Sequence, residues 1–305
     1  MHAVSARALS RSFAGSAAVD ALTFDVERGQ LFGMVGPDGA GKTTTLRMLS
    51  GVLPPTAGDA QVLGVSVARD PERVKPHIAY MAQRFGLYQE LTVRENIHFY
   101  ADLYRVPRGD IPARMDRLHA FSGLGEFQHR LAGQLSGGMK QKLALSCALI
   151  HQPEVLLLDE PTFGVDPISR RDLWLILHQM VLDGMTVIVT TSYMDEAERC
   201  DRIALLHEGR LLALDAPATI QDMLAGRLYS VRGGNARDVR NALRQVPGVR
   251  HATLFGDTVH AVTDDGTERH AVQSALAAWG VHDVMIEPAR PSLEDAFIAL
   301  VGNGS

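Results

Sequence analysis

The sequence contains very little cysteine. Among 305 residues there are only Cys147 and Cys200, which lie far apart in the chain. No CxxC pair or zinc-type Cys/His spacing occurs, and the 12 histidines show neither HxH nor HExxH spacing. These absences argue against a disulfide framework and against a metal site built on thiols or imidazoles. We expect both cysteines to be buried as small apolar residues in a reducing compartment.

Long apolar runs and an excess of basic residues are also missing. No stretch of about 18 consecutive apolar residues occurs, so we expect no membrane span, and any membrane role must come through a partner. The N-terminal residues contain no apolar segment of the signal-peptide kind, so no secretory signal is expected. The formal net charge of −5 argues against nucleic acid as the main partner.

What the sequence does contain is a series of short, continuously apolar segments separated by helical patterns. These segments lie at 31–35, 78–81, 155–158, 186–190 and 203–206. Continuous rather than alternating apolar character is typical of strands that are buried on both faces, as in a parallel sheet covered by helices. A helix predicted over 42–49 follows the first segment after a short loop, which favours an α/β fold.

The chain divides into two parts near Asp215–Thr219, where a proline interrupts a strand-like run. We predict an α/β domain over 1–218, with a mixed sheet and a helical subdomain at about 84–150. A capping box over Thr92–Glu95 indicates where the first helix of that subdomain begins. Residues 219–305 are predicted to form a separate, small α+β domain.

The second part shows a different order of elements. Alternating and helical patterns predict β-α-β-β-α-β, with a hairpin turn at Gly256-Asp257. This order is typical of a ferredoxin-like domain. A last helix is predicted to begin after Ser292 as its N-cap.

The most specific local motif is a glycine-rich loop between the first apolar segment and its helix. Gly36–Thr43 matches GxxxxGK[ST] without a mismatch. Glycines let backbone N–H groups approach phosphate oxygens, and the helix N-terminus adds its positive dipole end. Lys42 suits the β- and γ-phosphates, and the Thr43 hydroxyl suits Mg²⁺. The predicted nucleotide-binding residues of this loop are Gly36, Pro37, Asp38, Gly39, Ala40, Gly41, Lys42, Thr43 and Thr44.

Two further segments carry polar groups at the ends of predicted elements. Asp159 and Glu160 directly follow an apolar segment. Beside a bound triphosphate, Asp159 suits Mg²⁺, often through water, and Glu160 suits polarising an attacking water, although such a pair alone is often structural. Ser136, Gly137 and Gly138 precede a helix and form a second candidate anion site, a pattern that in isolation is more often an ordinary loop.

These three elements, in this order and spacing, resemble the ABC ATPase family. Leu135–Met139 resembles the family's signature motif, and Val155–Glu160 resembles its Walker B strand. Gln83 resembles the Q-loop glutamine, and Phe13 lies where the family places an aromatic side chain that stacks on adenine. Asp166 is similar to the aspartate of the D-loop, which crosses a dimer interface. The resemblance covers the first predicted domain.

The resemblance implies a mechanism. ATP with Mg²⁺ would be bound, with Thr43, Gln83 and Asp159 at the metal, and Glu160, Gln83 and Ser192 would have catalytic roles. Two cassettes would close head to tail over two ATP molecules, so each ATP would also meet Ser136–Gly138 of the other cassette. The chain would act in the cytoplasm, held at the inner face of the cell membrane by a separate permease.

The C-terminal part adds a narrower resemblance. Residues 291–297 resemble the C-terminal extension of bacterial export-type ATPases that serve drug, lipid or polysaccharide efflux. Within that group the chain is similar to one half of multidrug exporters that fuse two cassettes. A soluble ABC ATPase without a transport role is the alternative, but the coiled-coil insertions or paired cassettes typical of those proteins are missing.

Ser192 departs from the family pattern, which has a histidine at this position. A serine hydroxyl is several ångströms shorter than an imidazole that reaches the γ-phosphate. Three hypotheses follow: slow hydrolysis, normal hydrolysis through Glu160 with a water filling the gap, or a regulatory cassette that binds ATP without useful turnover.

Overall fold

In the computed structural model, which describes residues 2–84 and 86–302, the chain divides into two units. The first is Met1–Leu214 and the second is Asp215–Ser305. This division falls at the start of the region Asp215–Thr219 in which the sequence predicts a boundary, and the helix Pro217–Asp222 belongs to the second unit.

The first unit contains strands and helices in alternation. Its strands are β1 (His2–Phe13), β2 (Ser16–Glu27), β3 (Leu31–Val35), β4 (Ala57–Val62), β5 (Val65–Ser66), β6 (Ile78–Met81), β7 (Val155–Asp159), β8 (Thr186–Thr191), β9 (Arg202–His207) and β10 (Arg210–Asp215). Its helices are α1 (Lys42–Leu49), α2 (Pro71–Val74), α3 (Val93–Leu103), α4 (Ile111–Ser122), α5 (Gly137–Leu149), α6 (Pro167–Leu182) and α7 (Met194–Ala197).

The main sheet has the strand order β10-β9-β3-β8-β7-β6. Strands β9, β3, β8, β7 and β6 pair in parallel. Every residue of β3, β7 and β8 is buried, and α1, α5 and α6 pack on the sheet. The apolar segments therefore form a covered parallel sheet, which confirms the predicted α/β fold class.

An antiparallel sheet with the order β2-β1-β4-β5 was missed in the sequence. Strands β1 and β2 form a long hairpin whose register shifts several times, including between Ala6 and Leu9. Ala8 and Ala21 have positive φ angles of 48° and 51°. Such bulges break the alternation of buried and exposed side chains, so the period-two pattern that marks a strand is lost.

The predicted helical region is built from α3, α4 and α5. The capping box at the start of α3 is confirmed, because Thr92 Oγ1 accepts from Glu95 N at 3.2 Å and Thr92 N donates to Glu95 Oε2 at 2.8 Å. Asn96 is fully buried and donates to the carbonyls of Tyr88, Leu91 and Thr92, which ties the preceding segment to α3. Cys147 and Cys200 are both buried, as predicted.

The second unit has its own sheet and core. Its elements are α8 (Pro217–Asp222), β11 (Leu228–Arg232), α9 (Ala236–Leu243), β12 (Val249–Phe255), β13 (Thr258–Thr263), α10 (Arg269–Ala278), β14 (Met285–Pro288) and α11 (Leu293–Gly302). Its sheet order is β12-β13-β11-β14 with antiparallel neighbours, which confirms the predicted β-α-β-β-α-β arrangement. Ser292 Oγ accepts from Asp295 N at 3.1 Å, so the predicted cap of the last helix is confirmed.

Neither unit contains, within residues 2–84 and 86–302, a helix with both the length and the apolar character that crossing a membrane requires.

Candidate functional site

The glycine-rich loop connects β3 to α1 at the carboxyl edge of the main sheet. Gly41 adopts φ +96° directly before the helix, a conformation that favours glycine. At Gly36, an added Cβ would lie 2.2 Å from the Leu206 carbonyl oxygen, so no larger residue fits there without moving the backbone. The first N–H groups of α1 have no partner within the helix and face the loop. This arrangement suits an anion such as a phosphate.

Lys42 lies buried at the base of this loop, with 5% of its surface exposed. Its Nζ donates to Gly36 O at 2.7 Å, Pro37 O at 3.0 Å and Ser192 Oγ at 3.0 Å. Glu160 Oε1 lies 3.3 Å from the same ammonium group. A buried ammonium group needs nearby acceptors and an opposite charge, because these replace its lost contacts with water. The structure therefore brings the predicted lysine, serine and glutamate into direct contact.

Asp159 is the second buried charge of the site, with 2% of its surface exposed. Its Oδ1 accepts from Thr43 Oγ1 and Thr190 Oγ1, each at 2.9 Å, and its Oδ2 accepts from the Tyr80 hydroxyl at 3.3 Å. Burial, and then the charge of Asp159, raise the pKa of Tyr80. This tyrosine therefore stays a hydrogen-bond donor to the carboxylate at neutral pH.

Glu160 is held in a strained conformation, with φ +46°. Its N–H donates to Thr190 Oγ1 at 2.9 Å, which fixes the backbone directly after β7. Gln83 Nε2 donates to Oε2 at 3.1 Å, and Ser192 Oγ donates to Oε1 at 2.9 Å. Strained backbone that is fixed on several sides is common at functional sites. Gln83 and Ser192, both predicted site residues, therefore position the Glu160 carboxylate beside the loop.

A cleft of about 360 Å³ lies over the loop. It is lined by Ala18, Asp38, Gly39, Ala40, Gly41, Lys42, Thr43, Thr44, Gln83 and Glu160. Most of these residues belong to the predicted nucleotide-binding and catalytic sets. Polar clefts at the carboxyl edge of parallel strands are the usual ligand sites of α/β folds.

Other predicted site residues do not line this cleft. Phe13, at the end of β1, is 46% exposed, and the Arg11 guanidinium lies over its ring at 4.7 Å. Ser136 caps α5, its Oγ accepting from Met139 N at 3.3 Å, and Gly137 begins that helix. At Gly138, an added Cβ would lie 2.2 Å from Ser169 Oγ, so packing against α6 requires glycine there.

Asp166 also lies outside the cleft and caps α6. Its Oδ1 accepts from Ile168 N at 3.1 Å and Ser169 N at 3.0 Å. Hydrogen bonds hold the pKa of Asp166 below its usual range; those from Ser169 have the largest effect and the one from Ile168 N a smaller effect. The local geometry explains this residue as a helix cap, and its role at a dimer interface stays a prediction.

Two polar residues at the centre of the site were not predicted from the sequence. Thr190 contacts both Asp159 and Glu160, and Tyr80 contacts Asp159. Both side chains are brought there by the register of the parallel sheet, in which β7 pairs Asp159 with Thr190 and β6 neighbours β7. The only sequence signal was a polar residue near the end of an otherwise apolar segment.

The comparison of the sequence with known families and proteins agrees with this geometry. A family profile described as ABC transporter matches residues 19–163. The probable multidrug ABC transporter ATP-binding protein YbhF of Escherichia coli (strain K12) is 42% identical over 288 residues, 93% of this chain and 49% of that protein. The chain thus spans about half the length of that relative. Nod factor export ATP-binding protein I of Rhizobium leguminosarum bv. viciae is 34% identical over 302 residues, 98% of this chain and 95% of that protein.

Solved structures show the same fold. An ATP binding subunit of an ABC transporter is similar with a TM-score of 0.65 and 28% identity, over 72% of this chain and 92% of that one. The cbiO1 protein of Clostridium perfringens, part of the ABC transporter complex cbiONQ, is similar with a TM-score of 0.67 and 25% identity, over 72% of this chain and 90% of that one.

Proposed function

Because the chain belongs to the family of ABC transporter ATP-binding proteins, we propose that it hydrolyses ATP to drive export through a separate membrane permease. The observation that carries this proposal is that Lys42, Gln83 and Glu160 line one cleft, with Asp159 and Ser192 hydrogen-bonded to residues of its lining. The relatives are named for multidrug transport and Nod factor export, which supports a cargo of the drug, lipid or polysaccharide class.

ATP would bind with its phosphates against the loop and its base near Phe13. The N–H groups at the start of α1 and the Lys42 ammonium supply positive charge to the phosphates. A phosphate at Lys42 would compete with Glu160 Oε1, which lies 3.3 Å from that ammonium group. ATP binding would therefore release the glutamate toward the water beside the γ-phosphate.

The residues below the loop fit a magnesium ion. Thr43 and Asp159 supply a hydroxyl and a carboxylate oxygen that already lie 2.9 Å apart, and Gln83 donates through Nε2, which leaves its amide oxygen available. Mg²⁺ prefers oxygen ligands of this kind together with phosphate oxygens. No group of three or more His, Cys, Asp or Glu side chains that could hold a metal occurs in the described ranges, so the phosphates would complete the site. Bound Mg²⁺ would neutralise the charge that develops on the transferred phosphoryl group.

Hydrolysis would use Glu160 as the base. Its carboxylate accepts a proton from water while the water oxygen bonds to the γ-phosphorus and the bond to the β-phosphate oxygen breaks. Gln83 and Ser192 each donate to this carboxylate, which fixes its direction. We assign Ser192 the role of orienting Glu160 rather than contacting the γ-phosphate, because its hydroxyl lies within hydrogen-bonding distance of Lys42 and Glu160.

A second cassette would complete the site. Ser136, Gly137, Gly138 and Asp166 do not line the cleft of their own chain, which supports their facing the ATP bound by a partner cassette. The start of α5, with Ser136 as its cap, offers an anion-binding helix end for this purpose.

A permease would contact an exposed apolar surface on and beside α3. Tyr88, Phe99, Leu103 and Tyr104 are exposed large side chains on and beside α3, and Leu103 is 59% exposed. Tyr88 and Phe99 lie with ring centroids 4.5 Å apart. Aromatic residues in such a patch are common at protein interfaces, which supports a contact with a partner protein at this surface.

Steady-state phosphate release and ATP binding test this proposal on the full chain, alone and with its permease in vesicles. Lys42→Ala is expected to abolish ATP binding and transport, because it removes the charge at the loop. Glu160→Gln is expected to keep ATP binding and to lower phosphate release at least about a hundredfold. Lys75→Ala, at a surface ion pair with Glu72, is the matched control and should behave like the wild type. Transport by Lys42→Ala at the wild-type rate would refute the proposal.

The serine at position 192 favours a second candidate, a regulatory cassette that binds ATP without turnover. That candidate predicts tight ATP binding with no phosphate release from the wild-type chain, and release only after Ser192→His. Phosphate release from the wild type that Glu160→Gln eliminates would exclude it.

A further inference from the structure

A buried carboxylate outside the cleft connects two loops that flank the site. We propose that Glu196, together with Arg170, is a positioning element that couples the 161–166 loop to Ser192 and through it to Glu160. This inference rests on the proposed ATPase function, since its effect is on the rate of that reaction. Neither residue lines the cleft, so both would act through their neighbours.

Glu196, on α7, is completely buried. Its Oε2 accepts two hydrogen bonds, from Thr162 Oγ1 at 2.9 Å and from Thr191 Oγ1 at 2.7 Å. Thr162 lies in the 161–166 loop, and Thr191 directly precedes Ser192. One carboxylate oxygen therefore bridges the two segments that leave the carboxyl ends of β7 and β8.

Arg170 holds the other ends of the same two segments. It lies in the first turn of α6, immediately after the 161–166 loop, and its Nε is 3.5 Å from Glu196 Oε1. Its guanidinium lies over the Tyr193 ring at 4.7 Å, and Tyr193 directly follows Ser192. The 161–166 loop is thus held near both of its ends, and Ser192 is held from both sides. A movement of the loop is therefore expected to shift the neighbours of Ser192.

The 3.5 Å distance between Arg170 Nε and Glu196 Oε1 is slightly too long for a good hydrogen bond. Among the residues that the structure describes, neither Glu196 Oε1 nor Arg170 Nε has a hydrogen-bond partner, although both atoms are inaccessible to solvent. Charge-assisted N–H···O bonds are about 2.7–2.9 Å long, so closing the gap requires a shift of less than about 1 Å. Buried charged groups depend strongly on such small changes in geometry. The strength of the Arg170–Glu196 ion pair therefore depends on the position of the 161–166 loop.

The position of that loop is expected to depend on a partner. Val165 is buried, whereas Phe163 is 57% exposed and Ile168, just after the loop, is 77% exposed. A second cassette that packs on these apolar side chains would move the start of α6 and thereby Arg170. The structure provides a route from that contact to the carboxylate beside the phosphates: Arg170, Glu196, Thr191, Ser192 and Glu160.

The kinetic test compares conservative variants of the full chain. Glu196→Gln keeps the size of the side chain and an acceptor oxygen but removes the charge. It is expected to lower kcat for phosphate release about tenfold or more, while KM and the Kd for ATP stay within about twofold, because the loop at 36–43 is untouched. Arg170→Lys should retain more activity than Arg170→Met. Arg171→Met, at the exposed neighbouring position, is the matched control and should have wild-type kinetics.

Two isosteric variants test the coupling itself. Thr162→Val and Thr191→Val each remove one hydroxyl from Glu196, and each is expected to lower kcat severalfold. If one carboxylate links the two segments, the double variant should lose less than the product of the two single effects. Independent, multiplicative losses, or wild-type kcat in both single variants, would overturn the proposal. These variants also serve if Glu196→Gln does not fold.

Hydrogen exchange gives a readout that needs no activity. In Glu196→Gln, backbone amides of 162–166 and of 191–193 should exchange faster together, while those of α1 should not change. Faster exchange confined to α7 would refute the coupling. A wild-type chain without phosphate release would instead refute the proposed function, and the exchange pattern would still decide this inference.

Discussion

Removal of the Thr190 hydroxyl would perturb both acidic residues of the site at once. Thr190 is completely buried, and its Oγ1 donates to Asp159 Oδ1 and accepts from Glu160 N, each at 2.9 Å. Thr190→Val preserves the shape of the side chain and removes both hydrogen bonds. Asp159 keeps its bonds from Thr43 and Tyr80, whereas the N–H of Glu160 loses its partner.

The expected loss of stability follows from these two bonds. A hydrogen bond to a charged group contributes about 1.5–3 kcal/mol, and an unpaired N–H costs about 1–3 kcal/mol. Glu160 is partly exposed, so the lower end applies to its N–H, and we expect a total of about 3 kcal/mol. For a unit of this size the melting temperature should fall by about 6–12 °C. Because Glu160 would lose its fixed backbone direction, phosphate release should also fall about tenfold.

Urea unfolding, thermal unfolding and phosphate release of the full chain measure these effects. Thr186→Val is the matched control, because Thr186 is a buried threonine at the opposite end of β8 and accepts one hydrogen bond, from Gly29 N at 3.0 Å. It should lose about 1 kcal/mol of stability and retain its phosphate release. A loss below about 1 kcal/mol in Thr190→Val, together with wild-type phosphate release, would refute the reasoning.

Two further predictions concern the loop and the pH dependence of stability. Gly36→Ala should weaken ATP binding about a hundredfold, because its Cβ would lie 2.2 Å from the Leu206 carbonyl oxygen, whereas Gly109→Ala, with no atom within 4 Å, should bind ATP normally in the same titration. Burial lowers the pKa of His151, whose Nε2 lies 2.9 Å from Ile78 O. The unfolded chain therefore takes up this proton first, and stability should fall as the pH drops below about 6.5. His151→Gln should reduce this slope in unfolding measured between about pH 7.5 and 5.5, and an unchanged slope would contradict the assignment.

The parts of the site that could be predicted are those whose chemistry is contiguous in sequence. Gly36–Thr43 is a strand-loop-helix motif in which each residue type has a local reason. The buried strands were predictable because they are continuous apolar runs. Asp159 and Glu160 could be recognised because they end one of those runs, and Gln83 and Ser192 only through the resemblance to a family.

The parts that could not be predicted depend on pairing between distant segments. Thr190 and Tyr80 reach Asp159 because the parallel strands adopt one particular register, which no local pattern specifies. The hairpin of β1 and β2 was hidden by its bulges. The link from Glu196 to Thr162 joins residues 34 positions apart, and an acidic residue on a short helix gives no sign that it is buried.

The left-handed backbone at Glu160 has a consequence for protein engineering. A residue with a side chain at φ +46° costs on the order of 1 kcal/mol relative to glycine, so backbone conformation alone favours glycine at this position, whereas the contact of the carboxylate with the buried Lys42 ammonium opposes that change. A search for more heat-resistant variants that scores only backbone conformation should therefore select Glu160→Gly, and it would remove both the proposed base and the partner of Lys42. At this position the strain of the backbone and the contacts of the side chain act in opposite directions.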